Sequence, residues 1–77
     1  MAKDASFQQL VDMCNKIGWD TGLLELEKMV LRNENIQASL YAGDANQVRQ
    51  AVNLSKIIIA QNSTIARLKY YRTENGL

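Results

Sequence analysis

Residues able to carry acid–base, nucleophilic or metal chemistry are few in this sequence, and they are poorly placed for it. The chain contains no histidine and one cysteine, Cys14, so it lacks the groups of a Ser-His or Cys-His nucleophile pair and of a structural zinc site. Glu25 and Glu27 could form a carboxylate pair, but at a separation of two residues on a helix they point in different directions. We expect a protein that is not an enzyme and that binds no cofactor and no metal.

The segment ARLKYYRTENGL combines cations with aromatic rings. Arg67, Lys69 and Arg72 alternate with Tyr70 and Tyr71. Because cations hold phosphates and aromatic rings stack on bases, an alternative function is nucleic-acid or nucleotide binding through Arg67, Lys69, Tyr71 and Arg72. The formal net charge of +1 is low for a nucleic-acid-binding protein, and cations near the end of a helix also complement its dipole. A solvated or partner-facing helix end is therefore the preferred interpretation.

The size of the chain favours association with a second protein. Its 77 residues are 47% hydrophobic and include no proline, which is typical of a single helical domain. A domain of this length buries only about 60% of the surface that its unfolded chain exposes. With one cysteine the chain can form no internal disulfide, so a second subunit or a helical partner is the remaining common source of stability.

Helix signals divide the chain into one short and two long helices. Capping and apolar patterns predict helices over about residues 6–17, 21–42 and 45–73, joined by short turns that make neighbouring helices antiparallel. Ser6 is expected to cap the first helix, Asp20 the second, and Asp44 with Gln47 the third. The second helix is expected to continue through the polar residues 33–35, and its apolar face is assigned to Leu23, Leu24, Leu26, Val30 and Leu31.

The third predicted helix carries two apolar stripes, where a helix packed on one neighbour needs a single arc of about 100°. The Leu54 stripe consists of Ala51, Leu54, Ile58, Ile65 and Leu68. The Ile59 stripe consists of Val48, Val52, Ile59, Ala66 and Tyr70, with Asn62 lying between the two. We assign the Leu54 stripe to the core of the chain, although on sequence alone the two assignments can be exchanged.

The Ile59 stripe is then the predicted contact with a second copy or with another helical protein. Asn62 would fix the register between the two chains, as a polar residue at an apolar seam does. The competing interpretation makes the third helix a central one, covered on both sides by the first two helices. We expect a small adaptor, chaperone-like subunit or inhibitor that acts through protein–protein contact.

A cytoplasmic location without membrane contact is the remaining expectation. The longest unbroken apolar run, residues 57–60, is four residues long, whereas a bilayer-spanning helix needs roughly 20. No charged-then-apolar secretory pattern is present in the sequence MAKDASFQQL. The thiol of Cys14 is accordingly expected to stay reduced.

Overall fold

The computed structural model describes residues 2–77, with side chains from residue 6 onward, and this part of the chain is all-helical with no strand. The three helices are α1 (Ala2–Ile17), α2 (Trp19–Tyr41) and α3 (Ala45–Glu74). The predicted fold class of three helices, two of them long, is confirmed. At 1.5 Å per residue α3 is about 45 Å long, and it accounts for the longest dimension of the protein, 47 Å.

The first two helices begin earlier than the sequence pattern predicts. α1 begins at Ala2, so Ser6 lies inside the helix and does not cap it. α2 begins at Trp19, and its N-cap is Gly18, whose φ of 98° favours glycine and which makes no side-chain cap bond. Asp20 therefore lies in the first turn of α2, where its negative charge complements the helix dipole, and the prediction that it caps the helix is wrong.

The remaining helix ends and the continuity of α2 agree with the sequence pattern. Asp44 Oδ1 accepts a hydrogen bond from the Gln47 backbone N–H at 3.0 Å, and the Asp44 N–H donates to Gln47 Oε1 at 2.9 Å, which confirms the capping box. α2 runs without interruption through residues 33–35. α3 ends at Glu74, one residue beyond the predicted end, and Gly76 follows it with a φ of 64°.

Contacts between α2 and α3 run in opposite order along the two helices. Asp20 at the start of α2 accepts a hydrogen bond from Arg72 near the end of α3, at 2.8 Å. Gln37 near the end of α2 donates to the carbonyl of Ala51 near the start of α3, at 3.2 Å. The two long helices therefore lie along each other for most of their length.

Polar side chains join α2 to α3 where the apolar pattern of α2 is weakest. Asn33 Nδ2 donates to Gln61 Oε1 at 3.0 Å, and Gln37 Nε2 donates to Ser55 Oγ as well as to the Ala51 carbonyl. All four side chains are half-buried and hydrogen-bonded, so this part of the α2–α3 contact does not incur the free-energy cost of burying unpaired polar groups. It also buries little apolar surface.

The apolar core lies where α1 crosses the α2–α3 pair. Cys14 of α1 packs against Gly22 of α2, whereas Phe7, two turns earlier, contacts Arg67 and Tyr71 of α3. α1 therefore runs from α2 across to α3 and covers only part of their length. The buried apolar side chains around this crossing and along the two long helices are Val11, Cys14, Trp19, Leu23, Val30, Ile58, Ile65 and Leu68.

Candidate interaction surface

In the structure, the Leu54 stripe of α3 faces the core and the Ile59 stripe lies on another side of the helix. Ala51, Ile58, Ile65 and Leu68 of the Leu54 stripe are buried, and Leu54 itself is half-buried. This is the side that the sequence pattern assigned to the core. The apolar residues repeat at three, four and seven positions, which keeps them on one helix face against α2.

The Ile59 stripe faces away from the rest of the chain. Ile59 and Tyr70 are 67% and 68% exposed, and Val52 is 48% exposed. Ala66 and Asn62 are also exposed, and Val48 is half-buried. Large apolar side chains that repeat along one exposed helix face leave an apolar surface in contact with water. The prediction that a partner covers this stripe stays a prediction.

α2 adds two leucines that sequence reasoning placed in the core. Leu24 and Leu31 are 51% and 57% exposed, whereas Leu23 and Val30 of the same predicted face are buried. With five apolar residues between positions 23 and 31, the pattern did not show which of them lie on the buried arc. The available signal was a pair of seven-residue intervals, Leu23–Val30 and Leu24–Leu31, which place the four residues on two separate lines of the helix surface but do not show which line is buried.

The exposed leucines lie on the same face of the α2–α3 pair as the Ile59 stripe. At about 100° per residue, Leu24 and Leu31 project to one side of the core direction of α2, and Met29 projects to the opposite side. On α3, Ile59 projects to the same side as Leu24 and Leu31, and Ile57 projects to the same side as Met29. Met29 and Ile57 meet in a groove that Leu10 of α1 also lines, so this part of α1 lies on the groove face. Nearer the start of α1, Phe7 lines a second cavity with Ala66 and Tyr70 of the Ile59 stripe.

The groove beside α1 is a second apolar surface, with a volume of about 370 Å³. Its lining includes Leu26, Met29, Ile57, Ala60 and Thr64. The Thr64 hydroxyl already donates to the Ala60 carbonyl at 3.0 Å, and Gln61 accepts from Asn33. Sites for small molecules combine an apolar wall with a few polar groups that orient the ligand, and here those groups are already bonded within the chain.

Tyr71 belongs to an aromatic cluster at the end of the α2–α3 pair. Its ring packs edge-on against Phe7 with centroids 6.0 Å apart, and it stacks on Trp19 at 5.9 Å with an interplanar angle of 19°. The Trp19 indole N–H donates to Asn15 Oδ1 at 2.9 Å, which satisfies its one polar group. Trp19 thus covers one face of the Tyr71 ring, on which a base would otherwise stack.

The cations next to Tyr71 each have a partner within the chain. The contacts are Arg67 Cζ at 4.2 Å from the centre of the Phe7 ring, Lys69 Nζ at 3.7 Å from Glu27 Oε2, and Arg72 Nη1 at 2.8 Å from Asp20 Oδ1. Arg72 Nε also donates to the Leu77 carbonyl at 2.9 Å. These contacts offset much of the positive charge that a phosphate would meet, although the phosphate-binding prediction itself stays untested.

Cys14 is a packing residue at the contact of α1 with α2. The side chain is fully buried, and burial raises the pKa of the thiol, an effect that the positive charge of Arg72 partly opposes. A thiol with a raised pKa and no access to solvent is a weak nucleophile. Across residues 6–77, whose side chains the structure describes, the acidic and cysteine side chains form no group of three that could hold a metal ion.

Comparison with known proteins gives no match to any protein-family model, curated protein or solved structure. Within the described residues, each helix is too short or too polar to cross a lipid bilayer.

Proposed function

We propose that this protein acts by protein–protein contact through the Ile59 stripe, as an oligomeric adaptor, a chaperone-like subunit or an inhibitor, without enzymatic activity. The observation that carries the proposal is the exposure of Ile59 and Tyr70, each about two-thirds open to water, on a helix whose Leu54 stripe is already packed against the core. An apolar line at seven-residue spacing is what a second helix needs for side-by-side packing. A partner would therefore be helical, either a second copy or another protein.

The internal arrangement we propose is three antiparallel helices whose open face is completed by that partner. The opposite order of the α2–α3 contacts supports this for the two long helices. The oblique course of α1, which contacts α2 at Cys14 and α3 at Phe7, leaves most of the Ile59 face without a third helix. α1 borders this face at one end, where Phe7 lies beside Ala66 and Tyr70. The proposed cytoplasmic location depends on the sequence alone.

Nucleic-acid or nucleotide binding is the weaker candidate. Lys69 and Arg72 pair with carboxylates of α2, and Arg67 lies over Phe7. The ring of Tyr71 is engaged by two other aromatic rings. A phosphate would have to displace these contacts before it gained its own, whereas a partner helix on the Ile59 stripe displaces only water.

Two isoleucine substitutions on α3 test the proposal against a matched control. Ile59→Asp places a charge in the stripe, and Ile57→Asp places the same charge at a similarly exposed isoleucine, 52% open, on the groove face. Each chain that loses a buried Ile side chain loses about 1.5–3 kcal/mol of apolar contact, before the cost of burying a carboxylate. Ile59→Asp should therefore lower the mass measured by light scattering, or abolish capture of a helical partner, while circular dichroism shows retained helicity.

Ile57→Asp should leave the mass and the capture unchanged. If both variants behave like the parent, the Ile59 stripe is not a contact surface and the proposal is wrong. If Ile57→Asp alone disrupts the contact, the partner binds in the groove beside α1 instead.

A further inference from the structure

We infer that the partner of the Ile59 stripe is a second copy of this chain, packed antiparallel about a two-fold axis that passes beside Ile59. The inference rests on the proposed function, because it requires the Ile59 stripe to be the contact surface. It adds the identity of the partner, the direction of its helix and the residues that lie opposite each other.

The spacing of the stripe is symmetric about Ile59. From Val48 to Tyr70 the successive intervals are four, seven, seven and four residues. In a two-fold contact the same patch serves both subunits, so that residue i lies opposite residue j and j lies opposite i. An axis beside Ile59 sets Val52 of one copy opposite Ala66 of the other and Val48 opposite Tyr70, with Ile59 facing its own counterpart.

Side-chain size and polarity agree with this pairing. The largest side chain of the stripe, Tyr70, lies opposite the half-buried Val48, and Val52 lies opposite the small Ala66. The same operation brings Asn62 of one copy beside Ser55 of the other, so the polar interruptions of the stripe adjoin each other. No member of the stripe is charged, and apolar positions at seven-residue intervals are those that meet at the seam of two packed helices.

The chain exposes more surface than a compact protein of its mass. A compact protein of 8.7 kDa exposes about 4,700 Å², whereas this chain exposes 5513 Å². The excess of about 800 Å² belongs to the elongated chain as a whole, and it is similar in size to the area that each partner contributes to a standard interface. The radius of gyration points the same way, because 14.8 Å exceeds the value of about 11.5 Å expected for 77 compact residues.

The site for the second copy is open along α3. α1 lies mainly on the groove face and reaches the Ile59 face at one end, where Phe7 lines a cavity together with Ala66 and Tyr70. The exposed side chains of Leu24 and Leu31 border the stripe on the α2 side and extend its apolar area. A helix of the second copy would therefore rest on α3 with α2 leucines along one edge.

Single cysteines on the purified full chain test the axis and the direction together. Ile59→Cys should give a covalent dimer with a short bismaleimide, because the two introduced thiols lie beside the axis. Ile57→Cys and the parent chain are the controls, since Cys14 is fully buried and cannot reach the reagent. The native protein is used without denaturant throughout.

Cysteines away from the axis report the direction of the second helix. In the antiparallel dimer, residue 52 lies about 21 Å from its own counterpart, and so does residue 66. Val52→Cys alone and Ala66→Cys alone should therefore give little covalent dimer, whereas an equal mixture should give a crosslinked heterodimer. Efficient crosslinking of each variant with itself would show parallel helices and overturn the inference.

Other outcomes separate this inference from the proposed function. A chain that is monomeric at high concentration, with no crosslink from Ile59→Cys, overturns the homodimer. If that monomer binds a different helical protein and Ile59→Asp abolishes the binding, the proposed contact function stands without the homodimer. A dimer that crosslinks through Ile57→Cys but not through Ile59→Cys overturns both.

Discussion

The close approach of α1 and α2 at Gly22 gives a stability prediction whose magnitude follows from measured distances. A Cβ added at Gly22 would lie 2.6 Å from Cys14 Sγ, 3.2 Å from Cys14 Cα and 3.3 Å from Cys14 Cβ. All three distances are shorter than an ordinary van der Waals contact. Rotation of the thiol could relieve the first of them, but the contact with Cα can be relieved only if the two helices move apart.

Two effects of Gly22→Ala oppose each other. Alanine is favoured over glycine inside a helix by about 1 kcal/mol, whereas forcing an extra methyl group into a packed contact costs about 1–3 kcal/mol. Because one of the clashing atoms belongs to the backbone, we expect the upper part of that range. The net loss of folding free energy is then about 1–2 kcal/mol, which lowers Tm by roughly 4–16 °C in a domain of this size.

Thermal unfolding followed by circular dichroism measures this change. Gly22→Ala in a Cys14→Ala background is the control, because removal of the sulfur relieves the shortest contact, and the penalty there should be smaller. A Gly22→Ala variant that melts higher than the parent, by the amount of the helix-propensity gain, would refute a close packing of α1 on α2.

Two further predictions concern Cys14 and the cations of α3. Cys14 should react with an aromatic disulfide reagent only after unfolding. Because burial raises the pKa of this thiol in the folded state, its contribution to stability is complete below the ordinary thiol pKa and is lost as pH rises through the raised value. The parent chain should show no salt-sensitive affinity for nucleic acid, and replacement of Arg67, Lys69 and Arg72 by Gln should leave that result unchanged. Binding by the parent that disappears in the triple variant would restore the nucleotide-binding alternative.

Features set by local sequence could be predicted well. The Asp44–Gln47 capping box needs only residues three positions apart, and the structure contains both of its hydrogen bonds. The Leu54 stripe repeats at helical spacing over most of α3, so periodicity identified it as a packing face, although it did not decide which of the two stripes is buried.

Features set by contacts distant in sequence could not be predicted. α2 begins at Trp19, directly after Gly18, and the indole stacks on Tyr71. No local signal links these two aromatic residues, because they are 52 positions apart. For the same reason Tyr71 had the sequence pattern of an exposed aromatic residue among cations, whereas it packs between Phe7 and Trp19. Leu24 was assigned to the core because its stretch of α2 is apolar on several sides at once.

Sedimentation equilibrium of the purified chain over a wide concentration series tests most directly whether the Ile59 stripe is a contact surface. We expect the mass to rise from 8.7 kDa at low concentration towards twice that value, and Ile59→Asp to hold it at the lower value throughout. Two results together would contradict this account. The parent chain would stay at 8.7 kDa at every concentration, and it would bind no other helical protein through the Ile59 stripe.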